Sequence, residues 1–410
     1  MTFDDVRMRG FRARADVREV VAWIDARPAP LPAEDVHLLG TSGRVLARAI
    51  ESPVDVPAFR RSAMDGWAVR GAETFGASEL EPLSLPCVGE SRPGEPPPPP
   101  LAPGTAMRIR TGAPVPEGAD AVLPAESGTE EGSTLVVREP VAPGRHVGPV
   151  GEDAARGDAL LPAGRRLRPQ DLGLLSLVGT TRVSCVRKPR VAVLVTGAEI
   201  LEAGSPPLGT RIPDANGPML DALLRRDGAA PLVRGLFTDT DPRIEEEIAS
   251  VAADLVLVTG ASSVGPEDCV PEIVARRGTL LFHGLALRPA SPTGLGLVAG
   301  RPVFLIPGNP VSALCAYDLL AGRLVRRLGG RSPELPYRVA RLPLARKVVS
   351  ELGRLDYLRV QVVDGRAAPL TSRGAGVLTT TTRADGFVLV PADAEGYPEG
   401  ASVDVHLYDA

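Results

Sequence analysis

The sequence has few of the residues that build metal centres or disulfide frameworks. Its 410 residues include four cysteines and four histidines, which lie far apart and contain no C-x-x-C pair. This spacing argues against a zinc site and against a disulfide-stapled fold, and it favours isolated thiols in a reducing compartment. We therefore expect a cytoplasmic protein.

Long apolar runs and an excess of one charge are also missing. No segment approaches the ~20 uninterrupted apolar residues that span a membrane, and the first five residues contain no apolar signal core. The 46 Lys and Arg residues stand against 50 Asp and Glu, for a net charge of −4 without a basic stripe. We therefore expect neither a membrane nor a nucleic acid as a partner.

Glycine and proline, by contrast, are abundant, with 44 and 42 residues spread along the chain without a period. They indicate many turns and loops. With 44% hydrophobic and 23% charged residues, the composition is that of a soluble globular protein. The length is too great for one ordinary core and predicts several domains.

Hydrophobic periodicity predicts a multidomain protein with α/β and β parts. Strands alternate with helices after Arg190, which favours a doubly wound parallel sheet. The predicted domains are a helical one (1–51 and 155–186), an inserted β-rich one (52–154), an α/β one (187–330) and a C-terminal β-barrel (331–410).

Individual elements are also predicted. Helices are expected after Asp16, after Ser42 and over residues 172–178. The expected strands are 106–109, 121–123 and 134–137 in the β-rich part, 191–195, 232–237, 254–258 and 303–306 in the α/β part, and 338–344, 357–363, 386–390 and 402–407 near the C-terminus.

Three of the α/β strands are followed by glycine-bearing loops, at 196–199, 259–265 and 307–312. Ligands of open parallel sheets bind at the carboxyl ends of the strands, where backbone N–H groups can surround an oxyanion. Three such loops predict a site for phosphate, molybdate or another tetrahedral anion. The alternative is that these glycines only turn the chain. None of the loops is a G-x-G-x-x-G or Walker motif.

Carboxylates lie beside these loops. Glu199 follows the first loop, Asp239 follows a strand, and Asp268 lies just past the second loop. Carboxylates near a bound anion usually need a divalent cation, and Mg²⁺ prefers oxygen ligands. Helix capping, by residues such as Asn216 and Asp241, is the structural alternative.

Three segments of the β-rich part, 62–68, 108–116 and 151–153, each combine Gly or Pro with a presented polar residue. These segments contain the motifs S-A-M-D-G, R-I-R-T-G-A-P-V-P and G-E-D. Three further motifs follow them: R-K-P-R-V-A-V-L-V-T-G, D-A-N-G-P-M-L and P-G-N-P-V-S. All six occur in the order that is typical of one family. The sequence resembles the molybdopterin molybdenumtransferases, which include the C-terminal domain of gephyrin, over nearly its whole length.

The resemblance implies an elongated four-domain homodimer that works in molybdenum cofactor biosynthesis, with an active site formed by the β-rich domain of one subunit and the molybdopterin-binding α/β domain of the other. The implied reaction transfers molybdate to adenylylated molybdopterin with Mg²⁺ and releases AMP. Contacts with a molybdopterin adenylyltransferase or an apo-molybdoenzyme are also implied.

The resemblance also assigns residues by motif. The implied catalytic residues are Asp65, Thr111, Asp153, Glu199 and Asp268, and the metal ligands are Glu199, Asp239 (or its neighbour Asp241) and Asp268. The implied substrate-binding residues are Gly197, Thr259, Gly260, Ser262, Ser263, Arg288, Pro307, Gly308, Asn309, Pro310 and Ser312.

The sequence departs from the family pattern in three loops. Ala198 and the segment 261–266 lack carboxylates and a glycine that the family has. Ser291 stands where the family has a lysine, in R-P-A-S-P instead of Lys/Arg-Pro-Gly-Lys-Pro, so that a cation is missing unless Arg288 or another residue replaces it. Two alternatives to an active transferase follow: a non-catalytic carrier or regulator, and an enzyme for another adenylylated or phosphorylated ligand.

Overall fold

The computed structural model describes Phe11 and residues 13–238, 241–260, 269–370 and 376–408. These residues form two compact units. The β-rich unit contains Asp35–Ser42 and Leu46–Ser184, and the α/β unit contains the described residues of Met1–Glu34, Gly43–Val45 and Cys185–Ala410.

The α-helices of the described residues are α1 Val17–Asp25, α2 Pro169–Leu177, α3 Asn216–Arg226, α4 Arg243–Ser250, α5 Val270–Arg277, α6 Pro310–Ala316, α7 Gly322–Leu328 and α8 Thr379–Thr382. A π-helical turn, Tyr317–Ala321, connects α6 to α7 without a break. Within the described part of the chain, no helix is long and apolar enough to cross a membrane.

The strands before residue 180 are β1 Ala33–His37, β2 Ile50–Glu51, β3 Arg61–Ser62, β4 Gly66–Val69, β5 Leu83–Ser91, β6 Ala106–Ile109, β7 Ala121–Pro124, β8 Gly128–Glu131, β9 Thr134–Val137, β10 Val147–Gly148 and β11 Ala159–Leu161. The following strands are β12 Arg182–Val186, β13 Arg190–Thr196, β14 Ile200–Leu201, β15 Ile212–Pro213, β16 Ala230–Phe237, β17 Leu255–Thr259, β18 Gly278–His283, β19 Leu287–Arg288, β20 Gly294–Val298 and β21 Arg301–Ile306. The last strands are β22 Arg338–Pro343, β23 Val348–Val349, β24 Leu355–Val363, β25 Arg366–Pro369, β26 Gly386–Val390, β27 Gly396–Tyr397 and β28 Ser402–Leu407.

The β-rich unit is built on a six-stranded sheet in the order β7-β4-β6-β5-β9-β8. Successive residues of its strands point to opposite faces and join two different apolar clusters, as Trp67 and Ala68 do. The strands predicted at 106–109, 121–123 and 134–137 are confirmed as β6, β7 and β9.

The α/β unit contains a six-stranded sheet in the order β16-β13-β17-β21-β20-β18. The first four strands are parallel and have apolar residues on both faces. Helices α3, α6 and α7 contribute to the apolar cluster on one face, and α4 and α5 contribute to the cluster on the other. This arrangement leaves the carboxyl ends of β13, β17 and β21 side by side at one edge.

The predicted parallel arrangement is observed for β16, β13, β17 and β21. Two further strands of the sheet, β20 and β18, are antiparallel and were not predicted. Strands β20 and β21 are joined by Ala299 and Gly300 alone, both with positive φ (50° and 75°). A two-residue connection of this kind can only form a hairpin. The pair Ala-Gly was the signal that the sequence prediction missed.

The expected helix after Ser42 is also wrong. Gly43 has φ 71°, and the next residues use their backbone groups for long-range hydrogen bonds instead of a helical ladder. The N–H of Leu46 donates to Arg165 O (2.9 Å), and the N–H of Ala47 donates to Ser184 O (3.0 Å). The first helix begins as predicted, since Asp16 accepts the N–H of Arg18 at 2.8 Å.

Near the C-terminus, β19, β24, β26, β28 and β22 follow one another in a sheet, and β25 pairs with the far end of β24. An isolated bridge between Leu344 and Ala367 links the end of β22 to β25. The strands therefore run round a small apolar interior that includes Val360, Val388 and Val405.

Candidate active site

The predicted anion site lies where β13, β17 and β21 end. The hydroxyl of Thr196, the last residue of β13, donates to Thr259 O at the end of β17 (3.2 Å). The N–H of Gly260 donates to Ile306 O at the end of β21 (3.3 Å). The three strand ends are thus hydrogen-bonded to one another, and the loops after them start from one place.

Gly260 is required at this position. Its φ is +113°, and a Cβ added to it would overlap the carbonyl oxygen of Thr196 and lie 2.7 Å from that residue's Oγ1. Gly308 is also close, because a Cβ on it would lie 3.3 Å from the Cα of Gly260. The structural alternative, a glycine that only turns the chain, does not account for this close approach of three backbones.

Asn216 connects the same strand ends from the first turn of α3. It is buried, and its Nδ2 donates to Thr259 Oγ1 (2.8 Å) and to Gly308 O (2.8 Å). Its Oδ1 is buried without a hydrogen-bond partner in the described structure. Such an acceptor costs about 1–3 kcal/mol unless a donor reaches it, so a ligand N–H or O–H would be bound favourably here.

Asn216 does not cap α3, which was the structural alternative for this residue. The residue that caps α3 is Asp214, whose carboxylate accepts the N–H groups of Asn216 and Gly217 at 2.9 Å each. This frees the Asn216 side chain to reach the strand ends. From the sequence, Asn216 was only a polar residue before a helix. The D-A-N-G-P-M-L motif was the one signal that it could have another role.

The loop after β21 presents backbone to solvent. Gly308 and Asn309 are exposed, and α6 begins at Pro310, with the N–H of Ala313 donating to Asn309 O (2.9 Å). The free N–H groups of a first helical turn attract anions. Ser312, in the same turn, is only 3% exposed, so its hydroxyl lies inside the protein.

The loop after β13 carries Glu199, which is exposed. Its carboxylate lies over Gly197, since a Cβ on that glycine would be 2.9 Å from Oε2. No hydrogen bond or ion pair engages this carboxylate within the described residues, and it is therefore available to a cation.

The other predicted acidic ligands, Asp239 and Asp268, lie outside the described residues, as do Ser262 and Ser263. Asp241, the alternative to Asp239, accepts the N–H of Arg243 at the start of α4 (2.9 Å) and forms an ion pair with its guanidinium (2.6 Å). Asp241 is thus used as a cap. In the ranges that the structure describes, no three metal-ligating side chains cluster.

Arg288 is not a free cation. Its guanidinium pairs with Asp356, which lies opposite it on β24 and also accepts the hydroxyl of Ser350 at 2.7 Å. Arg288 is therefore engaged by a half-enclosed ion pair, and it does not replace the lysine that the family has at position 291.

In the β-rich unit, Asp65 and Thr111 are brought together. Asp65 Oδ1 accepts the N–H of Thr111 (2.8 Å) and its hydroxyl (3.2 Å). These hydrogen bonds, first that of the N–H, lower the pKa of the Asp65 carboxyl. Asp65 is exposed and ionised at neutral pH, and Oδ2 has no partner among the described residues. It is therefore free to bind a ligand.

The backbone next to Asp65 packs closely against the neighbouring strand. A Cβ on Gly66 would overlap the carbonyl oxygen of Leu123 on β7, so the residue after Asp65 must be glycine. The third predicted residue of this unit, Asp153, is exposed on a separate turn, where its N–H donates to Val56 O (2.9 Å). The described contacts do not connect Asp153 to Asp65 or Thr111.

Comparison with known proteins identifies the family of the chain. The MoeA N-terminal region (domain I and II) matches residues 15–179, the "Probable molybdopterin binding domain" matches 192–327, and the MoeA C-terminal region (domain IV) matches 341–408. A molybdopterin molybdenumtransferase of Haemophilus influenzae is 34% identical, with 82% of this chain and 83% of that protein covered.

Molybdopterin molybdenumtransferase 2 of Mycobacterium tuberculosis is 32% identical over 90% of this chain and 94% of that protein. A crystal structure of the molybdopterin biosynthesis MoeA protein from Pyrococcus horikosii superposes with a TM-score of 0.84 at 33% identity, covering 97% of this chain and 100% of that one. The chain therefore belongs to the MoeA family of molybdopterin biosynthesis proteins, which confirms the resemblance inferred from the motifs.

Substitution of Gly260 by alanine tests the close approach of the strand ends. We expect Gly260→Ala to destabilise the α/β unit by about 3 kcal/mol or more, because the methyl group adds a backbone overlap to the strain of a positive φ. The measurement is urea unfolding followed by the fluorescence of Trp23, which packs on the α/β core, in a Trp67→Phe background.

Gly204→Ala is the matched control, since Gly204 has a positive φ (+81°) but open space around its Cα. This substitution should lower the free energy of unfolding by only about 1–2 kcal/mol. Equal losses for the two variants would mean that the strand ends are not packed as described.

Asn216→Asp tests the amide bridge. A carboxylate cannot donate to Thr259 Oγ1 and Gly308 O, so it would face two acceptors in a buried place. We expect a loss of about 3 kcal/mol in the free energy of unfolding of the α/β unit, measured with the same fluorescence. The exposed Asn309 provides the control, and Asn309→Asp should change stability by less than about 0.5 kcal/mol. An Asn216→Asp variant with the free energy of unfolding of the wild type would contradict the bridge.

Proposed function

We propose that this chain is an active molybdopterin molybdenumtransferase, which inserts molybdate into adenylylated molybdopterin and releases AMP. The observation that carries the proposal is the convergence of three strand ends on Asn216, beside the exposed Gly308-Asn309 backbone. This arrangement offers N–H donors to an oxyanion at the carboxyl ends of parallel strands, where ligands of such sheets bind.

The proposed roles follow from the contacts. The backbone N–H groups of Gly308 and Asn309 bind an oxyanion of molybdate or phosphate. The buried Asn216 Oδ1 accepts a hydrogen bond from the substrate, whose pterin ring carries N–H donors. Asp65, ionised and oriented by Thr111, holds a cation, a water molecule or a proton with Oδ2.

Mg²⁺ fits the chemistry of Glu199, an exposed carboxylate without a protein partner among the described residues. We propose Glu199, Asp239 and Asp268 as its ligands, where the cation would offset the negative charge of the phosphates. The homodimer, the cytoplasmic location and the contacts with adenylyltransferase or apo-enzyme that the resemblance implies are part of the same proposal.

A specific observation favours the second candidate, a non-catalytic molybdopterin carrier or regulator. Arg288 is neutralised by Asp356, and the adjacent Ser291 is uncharged. A site that holds an anion only through neutral donors would bind substrate more weakly, which is compatible with binding but less so with turnover.

The test is AMP release from adenylylated molybdopterin by the purified chain with Mg²⁺, with and without molybdate. We expect release that requires molybdate and Mg²⁺, and a loss of at least about 100-fold in the rate for Asp65→Asn, because the isosteric amide keeps its position but not its charge.

Asp158→Asn is the control, since Asp158 is an exposed carboxylate of the same unit that also accepts a backbone N–H (Ala155, 2.8 Å). It should retain the wild-type rate. Tight substrate binding without AMP release would replace the transferase by the carrier, and AMP release that ignores molybdate would point to another adenylylated ligand.

A further inference from the structure

A second arginine contacts the side chain of Ser291. Arg14, from the segment before α1, donates its Nε to the hydroxyl of Ser291 at 2.9 Å. The uncharged Ser291 therefore has a guanidinium beside it, although that guanidinium belongs to a residue 277 positions away in the sequence.

The backbone of Arg14 is fixed against this loop. The next residue, Ala15, pairs with Leu285 in a parallel bridge, with Ala15 N–H donating to Gly284 O (3.0 Å) and Ala286 N–H donating to Ala15 O (2.9 Å). The N–H of Leu285 in turn donates to Ser291 O (2.7 Å). The N-terminal segment and the 285–291 loop thus form one hydrogen-bonded layer.

The sheet register places this layer at the edge of the candidate site. Strand β20 runs back along β21, with Gly294 opposite Leu305. The residues that precede Gly294 therefore lie beyond the carboxyl end of β21, where Pro307 and Gly308 follow Ile306. Arg14 and Ser291 are brought to the same edge of the sheet as the exposed loop backbone.

The charge of Arg14 is available. Its side chain is exposed, and no carboxylate of the described residues pairs with it. Since Nε is held by Ser291, the two terminal nitrogens remain to bind an oxyanion in the bidentate manner that arginine favours. Arg288, three positions before Ser291, differs in this respect because Asp356 neutralises it.

We propose that Arg14 supplies the positive charge that the family obtains from its lysine, and that Ser291 positions it. The bound group is a tetrahedral oxyanion, either molybdate or a phosphate of the substrate. This inference rests on the proposed function for the identity of the anion, but its test does not require turnover.

The experiment measures the binding of molybdate alone, and of AMP with Mg²⁺, to the full chain by isothermal titration calorimetry. We expect Arg14→Ala to weaken one of the two about 10-fold to 100-fold, as for the loss of a charged hydrogen bond. The anion whose binding is weakened identifies the group that Arg14 contacts. The double variant Arg14→Ala/Ser291→Lys should bind within about threefold of wild type, because the lysine restores the charge in place.

Arg225→Ala is the control for net charge, since Arg225 is an exposed arginine of the same unit on α3. It should leave both affinities unchanged. The inference is overturned if Arg14→Ala binds both anions like wild type, or if Ser291→Lys restores nothing. If wild type binds an anion through Arg14 but releases no AMP, the inference stands and the transferase proposal fails.

Discussion

The side-chain amide of Asn216 holds the candidate site together. Its two N–H groups bind the hydroxyl of Thr259 and the carbonyl of Gly308, which belong to the ends of two neighbouring strands. The arrangement requires that Asp214 cap α3 and that Gly260 have no side chain, because otherwise the loops could not approach one another. These contacts with Asn216 and Gly260 fix the position of the exposed backbone after β21.

Much of the fold follows from local sequence signals. The buried runs of β13, β17 and β21 are continuous apolar patterns, and each strand was predicted close to its observed bounds. The helix expected after Ser42 fails, because Leu46 and Ala47 bond to distant backbone and tertiary structure overrides periodicity there. The β20–β21 hairpin, which is closed by two residues with positive φ, could not be predicted from hydropathy either.

The site was predictable in part. The Gly-bearing strand ends were expected from their loops, and Asp65 and Thr111 were assigned to the site by motif. The structure brings the strand ends together and also pairs Asp65 with Thr111, which the sequence did not predict. The roles of Asn216 and Arg14 depend on contacts across tens to hundreds of residues, and no local pattern contains them. The departure from the family pattern at Ser291 is visible in the sequence, but the guanidinium of Arg14 beside this serine is not.

The central claim is that the ends of β13, β17 and β21 bind a tetrahedral oxyanion. It is tested most directly by a crystal structure with tungstate, a heavy analogue of molybdate, located by its anomalous signal. The account predicts a peak at this edge of the sheet, within about 3.2 Å of the backbone N–H groups of Gly308 and Asn309. A peak confined to other surfaces, with these N–H groups bound only to water, would contradict it.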